Sequence, residues 1–264
     1  MLRSIFIKTT ATMIITKRGL RFTVQDESKC LQASSFAERQ LFTSFKMENE
    51  DVPSSLCFKL PDFIKVLTMF ISVDVKPNDK RVRGIDSPGQ RVKISYESEN
   101  NPLLLELKDG KVATNAKIAT FRTEEISLYS FTRPIVNKII MSPSLLIDFW
   151  KCMDLQAENI ILVINKEEII LRTHSERADF DYKILVQSED IEQFRCDEDL
   201  ICSYKLSLFK MTVKALLESK KLSLRTDCEG LLCFQFIIPI DENQDCFVEF
   251  YLIPNVIVRS SKTK

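Results

Sequence analysis

Glycine and histidine are the residues this sequence nearly does without: five glycines and one histidine among 264 residues. The glycines stand at Gly19, Gly84, Gly89, Gly110 and Gly230, so no G-x-G-x-x-G occurs. The nearest approach to a phosphate loop, Gly84 to Gly89, runs on into Gln90-Arg91 where Lys-Ser or Lys-Thr is required. That argues against folds that cradle phosphate on glycine backbone. A single histidine, His174, removes most Ser-His-Asp, Cys-His and multi-histidine metal sites, since each needs a base or ligands the chain hardly owns. No apolar run approaches the roughly eighteen residues of a membrane span, and the N-terminus has no basic-then-apolar leader pattern. The eight cysteines contain no C-x-x-C. Scattered thiols of this kind are expected to be reduced, mostly buried small hydrophobes in a cytosolic or nuclear protein.

What the chain does have is balance. Its 37 basic and 37 acidic side chains cancel, and 45% of its residues are hydrophobic. That is the composition of a globular protein long enough for one large or two ordinary domains. Residues 1–130 carry 20 basic and 16 acidic groups, residues 131–264 carry 17 and 21, so any nucleic-acid surface must be local.

Short β-branched or aromatic runs bounded by turn residues predict strands at Met13–Thr16, Leu20–Val24, Arg91–Tyr96, Leu103–Leu107, Ile160–Asn165, Ile169–Thr173, Phe180–Val186, Leu222–Arg225, Leu231–Ile240 and Phe247–Ile253. Helical signals are fewer. Ser142-Pro143 has the N-cap and first-turn signature, followed by Leu145, Leu146, Phe149, Trp150 and Met153 on one face. Ser207 is expected to cap a second helix through Leu208, Met211, Ala215 and Leu216, with Lys210 and Lys214 sharing another face.

A repeat organises these elements. Shifted by 149 positions, Thr12–Phe22 lies without gaps on Ile161–Leu171, each a hairpin with a lysine at the turn. A second echo pairs Phe58-Lys59-Leu60 with Tyr204-Lys205-Leu206, each ahead of an apolar helix. Two echoes in the same order predict two copies of one domain. The residues between them, Ala119–Arg133, have no clean period. They read as a connector with exposed Ile126, Leu128, Tyr129 and Phe131, which is either an edge strand on its own sheet or a docking strip for partner peptides.

Four runs, TKRGLRFTVQDESKCLQASSF (16–36), VNKIIMSPSLLIDFW (136–150), YKLSLFKMTVKALLESKKLSLRTDCEGLL (204–232) and CFVEFYLIPN (246–255), resemble the Rad-one subunits of the heterotrimeric DNA-damage checkpoint clamp. That family is related to proliferating cell nuclear antigen. The resemblance runs over nearly the whole chain. It implies an α+β clamp protomer: two similar domains, antiparallel sheets outside and helices lining a hole that surrounds DNA. The expected divisions are a first domain over 1–118, a connector over 119–133, a second domain over 134–255 and a flexible tail over 256–264.

The same resemblance implies a non-enzymatic subunit, needing no cofactor, metal or membrane, that acts in the nucleus. Its expected partners are a Rad-nine-like and a Hus-one-like subunit, an ATP-dependent clamp loader, duplex DNA with single-strand junctions, and repair enzymes. A sliding ring must attract phosphate without reading bases, so Lys59, Lys65, Lys151, Lys210, Lys214, Lys220 and Lys221 are the candidate DNA-facing cations. Ring closure is expected at two edges, about Gly110–Ile118 (Gly110, Val112, Thr114, Ala116, Ile118) and Ala178–Val186 (Phe180, Tyr182, Ile184). A partner groove would gather Phe36, Ile126, Leu128, Phe131 and Pro254.

Two other readings compete: a 3'-5' DNA exonuclease and a homotrimeric processivity clamp. An exonuclease of the two-metal type needs converging carboxylates, and the acidic candidates Glu189, Asp190, Glu192, Asp197, Glu198 and Asp199 read as a solvated stretch between strands. Finally, the shift of 149 sets Met1 opposite Trp150. The first copy is therefore expected to have no counterpart of Val136–Phe149, as in a shortened isoform or an incomplete gene model whose first domain is impaired in ring closure.

Overall fold

The computed structural model describes residues 1–72, 91–109, 112–122, 126–153, 156–241 and 244–257. Gly84 to Gly89, Gly110 and most of the expected tail lie outside the described residues. The first repeat runs β1 (Thr10–Thr16), β2 (Gly19–Gln25), β3 (Leu31–Glu38), β4 (Ser54–Lys59), α1 (Leu60–Ser72), β5 (Arg91–Ser95), β6 (Leu103–Asp109) and β7 (Val112–Ile118). A short β8 (Thr120–Phe121) follows. The second runs β9 (Ile135–Met141), α2 (Pro143–Cys152), β10 (Asn159–Ile164), β11 (Glu168–His174), β12 (Asp179–Leu185), β13 (Ile191–Cys196), β14 (Leu200–Lys205), α3 (Leu206–Lys210), α4 (Val213–Glu218), β15 (Lys221–Asp227), β16 (Leu232–Asp241) and β17 (Gln244–Leu252), with β18 (Val256–Ile257) last.

The internal similarity holds to the register. In the β1–β2 hairpin Met13 faces Phe22; in β10–β11 the residues 149 positions later, Leu162 and Leu171, face each other. Thr10 pairs with Lys59 on β4 as Asn159 pairs with Lys205 on β14. Even the helix entries match: Leu60 N–H donates to the Thr9 carbonyl at 2.8 Å, and Leu206 N–H to the Glu158 carbonyl at 3.0 Å.

Pairing of β17 with β3 fuses the repeats into one ten-stranded antiparallel sheet, ordered β13-β9-β15-β16-β17-β3-β2-β1-β4-β8. A five-stranded sheet (β12-β11-β10-β14-β18) and a three-stranded sheet (β5-β6-β7) complete the chain. Alternation along the strands gives the long sheet two unlike faces. One face is apolar and buries Met13, Phe22, Leu56, Phe58, Phe236, Val248 and Phe250 against the helices. Phe63 of α1 meets Phe58 at a ring distance of 5.1 Å. In the second repeat Phe149 of α2 packs on Tyr182, and Trp150 on Phe209 of α3, both at 5.8 Å. The other face is mixed, with Thr12, Thr23 and Ser34 in line across β1, β2 and β3 and Phe36 opposite Phe247.

Helix α2 begins as its sequence predicts: Ser142 Oγ accepts from Ser144 N–H and Pro143 opens the first turn. Three expectations are corrected. The last helix begins at Leu206, one residue before the expected cap, and Ser207 lies within its first turn. That helix also breaks at Met211-Thr212 into α3 and α4, where Thr212 Oγ1 donates back to the Phe209 carbonyl at 2.8 Å. The acidic stretch is not simply a loop, because Ile191–Cys196 forms β13, paired to β9 across a register shift at Ile191/Gln193. Charged edge strands with such irregularities resist pairing with strangers.

The first repeat has no strand in the place of β9 among the described residues: β5 pairs only with β6, whereas β15 lies between β16 and β9.

Gly19 opens β2 at φ +142°, and a Cβ there would stand 2.1 Å from the Ala37 carbonyl oxygen. Backbone cannot yield as a side chain can. Gly19→Ala is expected to lower stability by about 2–4 kcal/mol through strain and overpacking. Chemical denaturation checks this, and a loss under about 0.5 kcal/mol, the scatter of neutral surface changes, would contradict it.

Candidate nucleic-acid and subunit interfaces

The helix-bearing side of the molecule collects exposed cations from both repeats. Lys65 stands on α1, Lys151 on α2, Lys210 on α3 and Lys214 on α4, all exposed. Lys151 is held by Asp148 at 2.9 Å, one turn back on α2. That hydrogen bond raises its pKa above the ordinary lysine value. Lys65 and Lys214 line one open groove of about 760 Å³, which Arg3 also lines. Arg3 Nη2 donates to Thr68 Oγ1 of α1 at 3.0 Å. Sequence reading missed Arg3; the fold brings it to the helices.

The other three expected cations lie elsewhere. Lys59 shares its face with Thr10, its cross-strand partner, and its Nζ lies 5.7 Å from the Phe121 ring centre, on the side of the sheet opposite Phe58 and the helices. Lys221 begins β15 on the same face as Ser223 and Arg225, and it pairs with Glu192 at 2.7 Å. Lys220 pairs with Asp245 at 2.7 Å. The strand alternation that buries Leu222 and Leu224 beneath the helices turns Lys221 away from them.

Both expected closing strands are edges. Among the described residues β7 pairs only with β6, and β12 only with β11, one from each repeat. Val112 opens β7, and Thr114, Ala116 and Ile118 share the face of that strand that covers Leu103, Leu105 and Leu107. Phe180, Tyr182 and Ile184 lie on the β12 face toward α2, and Leu185 is 61% exposed on the other. Across β11 and β12, Arg172 makes a two-pronged pair with Asp181 at 2.6 and 2.7 Å. The guanidinium lowers the Asp181 pKa. His174 Nδ1 stands 2.7 Å from Asp179 Oδ1. Both pairs join side chains of β11 to side chains of β12.

The connector crosses the mixed face of the long sheet and is tied to it. Gln32 Nε2 donates to the Ser127 carbonyl at 3.0 Å, and its Oε1 accepts from Tyr129 N–H at 2.8 Å. Gln25 Nε2 donates to Tyr129 Oη at 2.8 Å, and that hydroxyl donates to the Lys29 carbonyl. Phe131 packs edge-on against Tyr251 at 5.7 Å and under Arg225 at 6.0 Å. Arg225 in turn pairs with Glu249 at 3.3 Å, and both are largely buried. Tyr129 and Phe131 are thus anchors facing the sheet, which corrects the reading of both as exposed; Leu128 remains 40% exposed. Phe36 lies opposite Phe247, under Arg21 at 5.8 Å, while Pro254 sits by Gly230 and Cys202. Phe36, Phe131 and Pro254 thus meet different neighbours along the sheet and the C-terminal segment.

Side chains capable of chemistry are mostly engaged or raised in pKa. Among the described residues no three His, Cys, Asp or Glu side chains converge as a metal site would need. In the acidic stretch Glu192 is paired with Lys221, and Asp197 with Arg195 at 3.2 Å. Burial pushes the Cys202 thiol up to about 11 and the Cys233 thiol up to about 12. Neither is a thiolate at neutral pH, so neither is a ready nucleophile.

Residues 1–238 match the profile of the repair protein family Rad1/Rec1/Rad17. The chain is 30% identical to the human cell cycle checkpoint protein RAD1, covering 99% of this chain and 89% of that protein. It is 26% identical to the DNA damage checkpoint control protein rad1 of Schizosaccharomyces pombe, covering 96% and 82%. In fold it is similar to a PCNA2–PCNA3 complex from Sulfolobus tokodaii, with a TM-score of 0.70, 16% identity and coverage of 96% and 94% of the two chains.

Tyr129→Phe removes the hydroxyl that joins Gln25 to the Lys29 carbonyl. Amide exchange at residues 127–131 is expected to quicken about tenfold, equivalent to about 1.4 kcal/mol. Unchanged exchange there would contradict the assignment of Tyr129 as the connector's anchor.

Proposed function

The chain belongs to the Rad1/Rec1/Rad17 family of repair proteins, and from that premise we propose how it acts. It is a subunit of a DNA-damage checkpoint clamp, and it works with partner subunits and DNA. Residues 1–118 and 134–255 serve as the two clamp domains and 119–133 as the connector between them. The ring closes when β7 pairs with an edge strand of one neighbour and β12 with an edge strand of the other, those neighbours being Rad-nine-like and Hus-one-like subunits. An ATP-dependent loader opens the ring at duplex DNA beside a single-strand junction in the nucleus, and repair enzymes gather on the outer surface.

The observation that supports this reading is that β7 in one repeat and β12 in the other are edge strands among the described residues, on a molecule whose described helices pack on the apolar face of its fused sheet. Unpaired edges of this length are a hazard unless another strand takes them, and closure into a ring is how oligomers use up such surfaces. Lys65, Lys151, Lys210 and Lys214 supply an inner surface that holds phosphate loosely and reads no base.

The protein does no chemistry in this scheme. An exonuclease would need carboxylates gathered around two metal ions about 4 Å apart. The acidic groups from Glu189 to Asp199 are instead strung along and beyond β13, and two of them already face cations.

Replacing Lys65, Lys151, Lys210 and Lys214 by alanine tests the inner surface. Retention of the assembled ring on DNA is expected to weaken. The slope of log retention against log salt should flatten by about 0.9 for each phosphate that the variant no longer neutralises. Equal retention of variant and parent rings across a salt titration would overturn the assignment.

A further inference from the structure

The chain contains its own example of how a strand closes on such an edge. Inside the long sheet β3 is met by β17, and the helix-side residues across that joint differ in size. Small Ala33 and Ser35 of β3 lie opposite larger Phe250 and Val248 of β17, and all four are buried. The repeat carries β3 onto β12. Ala33 pairs with Val24 of β2 and Ser35 with Phe22. Phe180 and Tyr182 of β12 pair with Thr173 and Leu171, which stand 149 positions beyond Val24 and Phe22. At β12, therefore, the bulk stands on the edge strand itself. Phe149 of α2 backs both rings, at 6.3 Å from Phe180 and 5.8 Å from Tyr182. Both rings are half-buried, and residues 156–241 around them are described without a break. Room lies farther along the strand, where an open cleft of about 340 Å³ is lined by Leu145, Ile184 and Leu185 among others.

We propose that β12 selects its neighbour by side-chain size: the partner's edge strand that closes on it carries small residues opposite Phe180 and Tyr182 and a branched apolar residue opposite Ile184. This rests on the reading of β12 as a closing edge and adds what that edge accepts. Main-chain bonds accept any extended strand, so they give affinity without choice. Choice comes from the helix side, where the layer between sheet and α2 packs to the density of a protein interior. In the β3–β17 joint one large and one small side chain share that layer at each position. At β12 the large member is already present, so a bulky arrival would press on rings that have Phe149 behind them, the cost of an overpacked core. On the other side of β12, Asp181 and Asp179 are engaged by Arg172 and His174 within the chain.

The sequence of residues 112–118 supplies a probe, since Val112, Thr114 and Ala116 have the sizes and spacing required. A capped peptide of that sequence, with lysines added at its ends for solubility, is mixed with the full chain and amide exchange is followed. Slowed exchange at 179–185 is expected, saturating with peptide. The same peptide with Thr114→Val and Ala116→Phe, the sizes that β17 presents to β3, should bind at least about tenfold more weakly. A chain carrying Phe180→Ala and Tyr182→Ser, the residues of β3, should reverse the order and prefer the bulky peptide. Circular dichroism checks its fold, and the comparison of the two peptides on the parent chain needs no variant. Equal binding of both peptides at 179–185 of the parent overturns the size rule while leaving β12 a closing edge. Absence of protection at 179–185 with either peptide up to millimolar overturns the rule together with that reading of the edge.

Discussion

Antiparallel pairing between β17 and β3 holds the two repeats of this molecule together. It joins the last long strand of the second repeat to the third strand of the first, so that two similar units share one sheet. Six register pairs, Phe247↔Phe36 through Leu252↔Leu31, fix which side chains fall on which face across the whole width. Because side chains alternate, a slip of one residue would turn Phe250 and Val248 out to the connector side and Glu249 in toward the helices. The shared sheet thus holds an apolar surface beneath α1 and α4 and a mixed one, with Gln25, Gln32 and Tyr251, under the connector. The proposed clamp rests on that division, with helices and their cations on one side and the tethered connector on the other.

Much of this was legible in the sequence. The repeat was readable because hairpins with fixed registers tolerate no insertion, so the shift of 149 survives where residue identities do not. Helix α2 announced itself through Ser142-Pro143 and the spacing of Leu146, Phe149 and Met153. Among the strands that escaped notice, β3 and β13 have mixed patterns. β3 (LQASSFAE) is buried on both faces by small polar residues, with Thr23 Oγ1 and Ser34 Oγ paired at 3.2 Å. β13 (IEQFRC) is an edge whose charges imitate a loop. Neither alternates apolar with polar in the way a half-buried strand does.

The functional surface was legible in part. Lysines on helices could be placed from helical spacing, but Lys59 and Lys221 could not. A residue at the junction of a strand and a helix takes its face from the strand's pairing partner, which lies far away in sequence. Tyr129 looked like an exposed aromatic because its partners, Gln25, Gln32 and the Lys29 carbonyl, come from a hairpin about a hundred residues earlier. Electrostatics follows the same division. Lys65, Lys210 and Lys214 stand exposed on the helices, while Arg225 and Glu249 pair, partly buried, beside Phe131.

Everything proposed for the assembled ring turns on β7 and β12 being closed by two different neighbours. The native mass of this chain expressed together with a Rad-nine-like and a Hus-one-like subunit, with amide exchange followed on the complex, tests that directly. A 1:1:1 assembly is predicted, in which exchange slows at 112–118 and at 179–185. A chain that remains monomeric, forms a trimer of itself, or assembles with both strands exchanging as in the free protein would contradict it.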